Sequence, residues 1–335
     1  MNAYGLYFLK RLGLFLAVVI AGITAAFFIT HMTPLDPVEQ TITTLSAYGQ
    51  TSPAAVAEMR RVLNELYGTD QPLIVQYLNY WRRLLTGDLG PSLSSYPTPV
   101  FSLIARAIPW TFGLLGTATV LSWIIGNYLG GLAGYYQNNR VLKAVGVVAM
   151  GLQPIPYYIV AFVVLVLFGS VWPILPISGG YARGVTPGWN IDFILSVIAH
   201  SILPALSLLL VGLGTWFLGM RSLVSNIVSE DYVIYAELAG VDRSRIHGAY
   251  VMRNAMLPQV TGLAMSLGTI FSGTVITEFV FSYPGLGRLL ILGVTAGDYN
   301  LVLGVTSVSI VGVAFAVFIV DMLYPVLDPR VRLGS

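Results

Sequence analysis

A chain of 335 residues ordinarily suggests two domains, but 56% hydrophobic against 10% charged residues, with a mean hydropathy of +0.78, lies outside the composition of soluble folds. The formal net charge of +2 says little, and the absence of cysteine excludes disulfides, thiolate metal sites and cysteine nucleophiles. The positions of the charges say more: they leave six charge-free stretches, each long enough for the roughly 20 helical residues that cross a hydrocarbon layer.

Those stretches run Leu12–Leu35, Ala107–Asn139, Ala144–Ala182, Phe193–Met220, Asn254–Thr277 and Tyr299–Val320, and each is read as one transmembrane helix. They are continuously apolar rather than alternating, which excludes a transmembrane β-barrel. The first is too long for a signal-peptide core, and Thr30-His31-Met32 is not an A-x-A cleavage site, so it is expected to remain as the first span. The second and third exceed one crossing without reaching two helices and a turn; the excess is assigned to interfacial residues and to prolines such as Pro173 and Pro176. Lys10, Arg11, Arg140, Lys143, Arg221, Arg243, Arg245, Arg253, Arg330 and Arg332 fall on the side of both termini, whereas the opposite short loops hold Arg183 and Arg288. The positive-inside rule then places both termini in the cytoplasm. The expected architecture is an all-α polytopic membrane protein with six transmembrane helices, N-in and C-in. Residues 1–33 form the N-terminal segment and first span, 34–106 an external insertion, and 107–335 a five-helix core.

Two polar insertions interrupt the pattern. In the external one, Ser52 as N-cap and Pro53 at the first helical position open a short amphipathic helix with Val56, Met59, Val62, Leu63 and Leu66 at helical spacing, ending near Gly68. A second helical piece, about Leu73–Leu85, carries Tyr77, Tyr80 and Trp81 beside Arg82 and Arg83. These aromatics suit either an interfacial belt on the bilayer or a docking face for an external partner. The other insertion, 221–258, is cytoplasmic, too polar for membrane and too long for a plain connector. A helix from near Asp231 is expected to stop at Gly240, a helix C′ glycine, and Asp242 or Ser244 to cap a second helix. Two short helices at a sharp corner would form a knob suited to another protein's cleft.

Ionisable groups in or near the membrane are functional candidates by default. Here they are Glu278 beside Thr277, Asp321, His31 and His200, with Trp110, Trp216 and Phe217 as further candidates to line a path or to face lipid. The two histidines read as helix-end hydrogen-bonding residues, since no partner lies at metal-ligand spacing. Gly126, Gly130 and Gly134 recur every fourth residue, the small-xxx-small spacing of close helix packing. Neither Lys10 nor Lys143 follows a glycine in a phosphate-cradling loop, no H-E-x-x-H occurs, and Ser201 beside His200 lacks a third group. No catalytic or metal site, no cofactor and no nucleic-acid partner is expected in this chain.

Glu230-Asp231-Tyr232, Ala236 and Gly240, followed by Arg253-Asn254-Ala255-Met256-Leu257-Pro258, resemble the cytoplasmic EAA loop of ABC importer permeases. The chain is most similar to the dipeptide/oligopeptide/nickel permease family, to the DppB/OppB type within it. Lys10-Arg11-Leu12, Pro34-Leu35-Asp36-Pro37, Tyr67-Gly68 with Pro72 and Gln76-Tyr77-Leu78, Gly87-Asp88-Leu89-Gly90 and Ile202-Leu203-Pro204-Ala205 continue the resemblance in family order. So do Tyr283-Pro284-Gly285-Leu286-Gly287-Arg288, Asp298-Tyr299 and Asp328-Pro329-Arg330-Val331-Arg332. The chain departs at Leu35, where the family has glycine, at Ile234-Tyr235-Ala236 in place of Glu-Ala-Ala, and at Thr111-Phe112-Gly113-Leu114, where an acid is common.

The resemblance implies a type I importer permease in a bacterial or archaeal cytoplasmic membrane, forming half of a translocation path with a homologous second permease of the DppC/OppC type. It further implies two ATPase subunits holding ATP and Mg, an external solute-binding protein and a bilayer setting. The knob would be the coupling helix, with contacts at Tyr232, Ala236, Glu237, Gly240, Val241, Asp242 and Arg243, and with Arg253, Asn254, Leu257 and Pro258 tying it to the fifth span. Ala236 and Gly240, four apart, are expected to give a small-residue face toward the ATPase. Segments 34–106, 181–192 and 283–298 would form the binding-protein platform. Short peptides are the expected cargo, with oligosaccharides, opines or nickel as alternatives on the same machinery. A secondary transporter, the reading from another class, predicts broken half-helices, internal repeats and mid-membrane coupling acids.

Overall fold

The computed structural model describes residues 3–32, 42, 52–67, 71–268, 270 and 275–327. The Pro34–Pro37 motif, Gly68 and the Asp328–Arg332 motif lie outside them. The described chain is helical throughout, its one extended pairing being an isolated bridge between Pro91 and Pro99. In chain order the helices are α1 (Ala3–His31), α2 (Pro53–Tyr67), α3 (Leu73–Thr86), α4 (Val100–Tyr135), α5 (Arg140–Leu152) and α6 (Tyr157–Val166). They continue as α7 (Ile191–Ile227), α8 (Asp231–Leu238), α9 (Arg253–Gly268), α10 (Val275–Val280), α11 (Leu286–Thr295) and α12 (Tyr299–Leu327).

Four helices among the described residues are long and apolar enough to cross a membrane: Gly5–His31, Val100–Tyr135, Ile191–Ile227 and Tyr299–Met322. The third apolar stretch differs from the single helix expected. It is broken between Leu152 and Tyr157, and its two halves, the second running on through a π-helical turn at Leu167–Val171, are bent by 106°. The cause is local: Pro154 and Pro156 remove two amide donors, and although Gln153 stays helical, Pro156 is extended with ψ 134°. Counted as one span, this pair raises the total to five. In the fifth stretch α9 covers 16 residues and α10 resumes at Val275.

Helix ends follow local chemistry. Ser52 Oγ accepts from the Ala55 amide at the start of α2, Asn139 Oδ1 accepts from Val141 and Leu142 at the start of α5, and Asn190 Oδ1 accepts from Phe193 at the start of α7. Helix α4 begins at Val100, seven residues before the charge-free stretch, so Arg106 sits within its second turn.

Helices α4 and α7 form the spine. The glycine stripe faces α7 of this same chain: a Cβ on Gly126 would lie 2.6 Å from Trp216 Cβ, one on Gly134 2.7 Å from Val224 Cβ, and one on Gly130 would strike the Phe217 carbonyl. The stripe lets the two backbones approach as small-residue seams do. Proline lies within each spine helix away from this seam, Pro109 in α4 and Pro204 in α7. Helix α1 packs along α12, with Phe8 and Phe15 edge-on to Phe318 and Phe315, and Arg11 paired with Asp321 at 3.0 Å.

The spine carries an apolar cluster at each end. One joins Leu89, Val100 and Ile104 to Leu286, Leu301 and Val305; the other joins Met220 and Val224 of α7 to Val233, Ala236, Ile246 and Val251.

Candidate functional site

The knob is a corner built on the second of these clusters. Helix α8 ends where Gly240 adopts φ +74°, its amide donating to Glu237 O, and Asp242 then caps the turn Arg243–Arg245 by accepting from the Ser244 amide at 2.9 Å. The Ser244 hydroxyl also donates to Asp242. These donors hold the exposed Asp242 carboxyl below the usual aspartate range. Past the turn, a π-helical segment Ile246–Met252 leads into α9. Asn254 Nδ2 donates to Tyr250 O at 2.7 Å and to Tyr232 Oη at 3.1 Å, lacing the root of α9 to α8. Tyr135, at the end of α4, donates to Arg243 O and lies 4.9 Å from the His247 ring. Burial among these rings lowers the pKa of His247.

The expected small-residue contact face is corrected. Ala236 is 4% exposed and packs inward with Val233, since positions three apart on one helix share a face. The opposite face carries the exposed apolar side chains Ile234, Tyr235 (75%) and Leu238 (82%). Tyr232, Glu237, Gly240, Asp242, Arg243, Arg253, Asn254, Leu257 and Pro258 are also exposed, and Val241 is half-buried. Tyr235 and Leu238 are the contact candidates that the motif comparison passed over; apolar residues on a short polar-flanked helix were the available signal.

At the other end of the spine, two buried carboxylates hold the chain together. Glu278 is fully buried: its Oε1 accepts from Thr111 Oγ1 at 2.8 Å and its Oε2 from the Gly287 amide at 2.7 Å, while Leu286 N donates to Thr111 Oγ1. Glu278 therefore caps α11 and ties it to α4 and α10, and it is enclosed rather than open to a path. Asp298 is fully buried too. Its Oδ2 accepts from Ser92 Oγ at 2.5 Å and from the Ser94 amide and hydroxyl, both at 3.0 Å; its Oδ1 accepts from Leu301 N. Asn300 donates to Pro91 O, so the Gly87–Gly90 and Asp298–Tyr299 motifs, far apart in sequence, meet here.

The remaining path candidates are placed as follows. Trp110 is half-buried, stacked on Tyr181 at 6.1 Å and edge-on to Tyr283 at 5.6 Å. Trp216 is half-buried against Gly126 and Gly262, and Phe217 is buried at the seam. Thr277 is buried with its hydroxyl unpartnered among the described residues. Asp321, paired with Arg11, lines an apolar groove of about 660 Å³ walled by α1, α10, α11 and α12. His31, the last residue of α1, bonds the Phe27 carbonyl one turn back as a helix-end residue does; His200 bonds the Ser196 carbonyl in the same way but lies inside α7, so the helix-end reading is corrected there. No cluster of three or more potential metal ligands occurs among the described residues.

In helix α3 neither of the two readings of the aromatics, a belt on the bilayer or a docking face for an external partner, describes the two tyrosines. Tyr77 shares a hydrogen bond with Thr24 of α1, and Tyr80 donates to Leu303 O of α12 and bonds Ser307, so both tyrosines face the protein. The exposed apolar face is instead Ile74, Leu78 and Leu85.

An all-helical bundle with several membrane-crossing helices, a helical knob at one end and polar-anchored loops at the other defines a polytopic membrane permease. The chain belongs to the binding-protein-dependent transport system inner membrane component family, whose pattern matches residues 126–333. It is 32% identical over 96% of its length to the "Probable D,D-dipeptide transport system permease protein DdpB" of Escherichia coli K12, covering 96% of that protein. It is 31% identical to the dipeptide transport system permease protein DppB of the same strain, over 97% of this chain and 98% of that one. The DppB of Bacillus subtilis 168 is 26% identical over 98% of each chain. The resemblance to dipeptide permeases thus extends over essentially the whole sequence, and these relatives are transport permeases rather than enzymes. The broken span at Pro154 and Pro156 is a feature that a secondary transporter would share, but it carries no acidic residue. Family membership decides against that class.

Proposed function

We propose that this chain is the transmembrane permease subunit of an ATP-driven, binding-protein-dependent importer of di- and oligopeptides. It spans the membrane six times with both termini in the cytoplasm and forms half of the translocation path beside a homologous second permease. The observation that carries the coupling part is α8, which turns Ile234, Tyr235 and Leu238 outward while Val233 and Ala236 root it in the cluster at the end of α7. An apolar face on a cytoplasmic knob has no reason to stay wet unless a partner covers it. We assign that partner as one of two ATPase subunits, which bind ATP and Mg and whose closure pushes on the knob. A rigid element is required there, because a flexible loop would absorb the displacement. The opposite end, held by Glu278 and Asp298, is the platform for the external binding protein.

The test is reconstitution of the chain with its co-encoded partners in proteoliposomes, with ATP inside and a labelled dipeptide on the binding protein outside. ATP-dependent dipeptide uptake supports the reading. Tight binding of an oligosaccharide and of no peptide by the co-encoded binding protein replaces the cargo and keeps the machinery.

A further inference from the structure

Beside the Glu278 anchor lies a small pocket of about 180 Å³ whose wall includes Arg106, Trp110, Pro284, Gly285, Arg288 and Leu289. Arg106 comes from the early turns of α4 and Arg288 from the first turn of α11, so two helices held together by Glu278 and Thr111 bring two arginines to the wall of one cavity. Neither guanidinium makes a hydrogen bond or ion pair with another described residue, and no acidic residue lines the pocket. The first amides of α11 are already taken by Glu278 and Thr111, so any attraction for an anion here belongs to the arginines. The Glu278 carboxylate lies behind the Gly285 wall and spends its lone pairs on Thr111 and the α11 amides, so two cations with no direct partner beside an aromatic wall disfavour one another and favour a shared anion. Trp110 is fixed by Tyr181 and Tyr283, and Gly180 allows this because a Cβ there would come within 2.8 Å of both Trp110 and Pro284.

We infer that Arg106 and Arg288 form a carboxylate subsite at the outer mouth of the permease, which receives the C-terminal carboxylate of a peptide released by the binding protein. The inference rests on the peptide-importer reading and deepens it, because a neutral oligosaccharide offers these arginines hydroxyl acceptors but no opposite charge. The planar guanidinium suits a carboxylate, which can accept two parallel hydrogen bonds from it. The volume is below the range of pockets that enclose a whole drug-sized ligand, so it holds one end of a peptide while the rest stays in the open path.

The experiment uses the complete transporter in proteoliposomes, with saturating binding protein loaded with labelled alanyl-alanine, and compares wild type with R106Q/R288Q and R106K/R288K. Losing a charged hydrogen-bond partner predicts a fall in uptake of about tenfold or more for the glutamine pair, with binding-protein-stimulated ATP hydrolysis within about twofold of wild type. The lysine pair, which keeps the charge but not the two parallel hydrogen bonds, recovers part of the uptake and stays below wild type. Unchanged uptake in R106Q/R288Q overturns the subsite, as does an equal loss of uptake and ATP hydrolysis, which places the arginines in docking or folding. A difference that appears only in vesicles containing phosphatidylglycerol also overturns it, in favour of a lipid phosphate. Failure of the wild-type complex to import any peptide refutes the importer reading itself, an outcome distinct from all of these.

Discussion

Glu278 and Asp298 each satisfy several buried donors at once, so removing either carboxylate leaves amide and hydroxyl groups without partners in a dry interior. Each orphaned donor costs about 1–3 kcal/mol. Glu278→Ala and Asp298→Ala are expected to lower the apparent melting temperature of the detergent-purified protein by several degrees, read by differential scanning fluorimetry. A variant as stable as wild type would show that the anchors are dispensable. Asp242 behaves differently because it is exposed. Its folded pKa is depressed by the Ser244 donors, so the cap is fully present above the ordinary aspartate pKa and is lost as pH falls through the depressed value. Amide exchange at Ser244, corrected for the intrinsic pH dependence, should therefore stay protected until the pH drops below the usual aspartate range.

Among the elements, α8 gives the sharpest test. Leu238→Asp places a charge on the face assigned to the ATPase without touching the inward residues, and it should abolish ATP-driven uptake while membrane insertion and permease yield persist. Gly240→Arg should do the same, because a non-glycine residue at φ +74° strains the corner that sets the angle of the knob. Normal uptake by both variants would remove α8 from the coupling route. The start of α2 and the end of α8 were readable beforehand because Ser52 and Gly240 act on their own neighbours. The bend in the third stretch was also written there, in Pro154 and Pro156, but apolarity on both sides masked it. Ala236 was misplaced because a motif records which residues recur, whereas helix phase decides which face they occupy. The pairings of Glu278 with Thr111 and of Asp298 with Ser92 were beyond sequence reasoning, since the partners lie 167 and 206 positions apart.

At the scale of the molecule, a chain with no native cysteine allows its sidedness to be read directly. Ser95→Cys and Ser229→Cys lie on exposed loops at opposite ends of the bundle. In right-side-out vesicles an impermeant maleimide should label the first and spare the second, and the pattern should reverse in inverted vesicles. Labelling of Ser229→Cys from outside would overturn the N-in, C-in arrangement and with it the position of the knob.

The glycine seam and the two prolines divide the spine mechanically. Helix α7 alone is 37 residues, or about 55 Å long at the usual rise. Where Gly126, Gly130 and Gly134 press on Trp216 to Val224, nearest the knob, the two rods touch backbone to backbone and resist bending. Beyond the seam, Pro109 and Pro204 each leave a carbonyl without its helical donor, the ordinary seat of a flexure. The pair resembles a tool with a stiff handle and a compliant tip: under the proposed coupling, a push on the knob would pass along the close-packed seam and become a change of shape at the prolines.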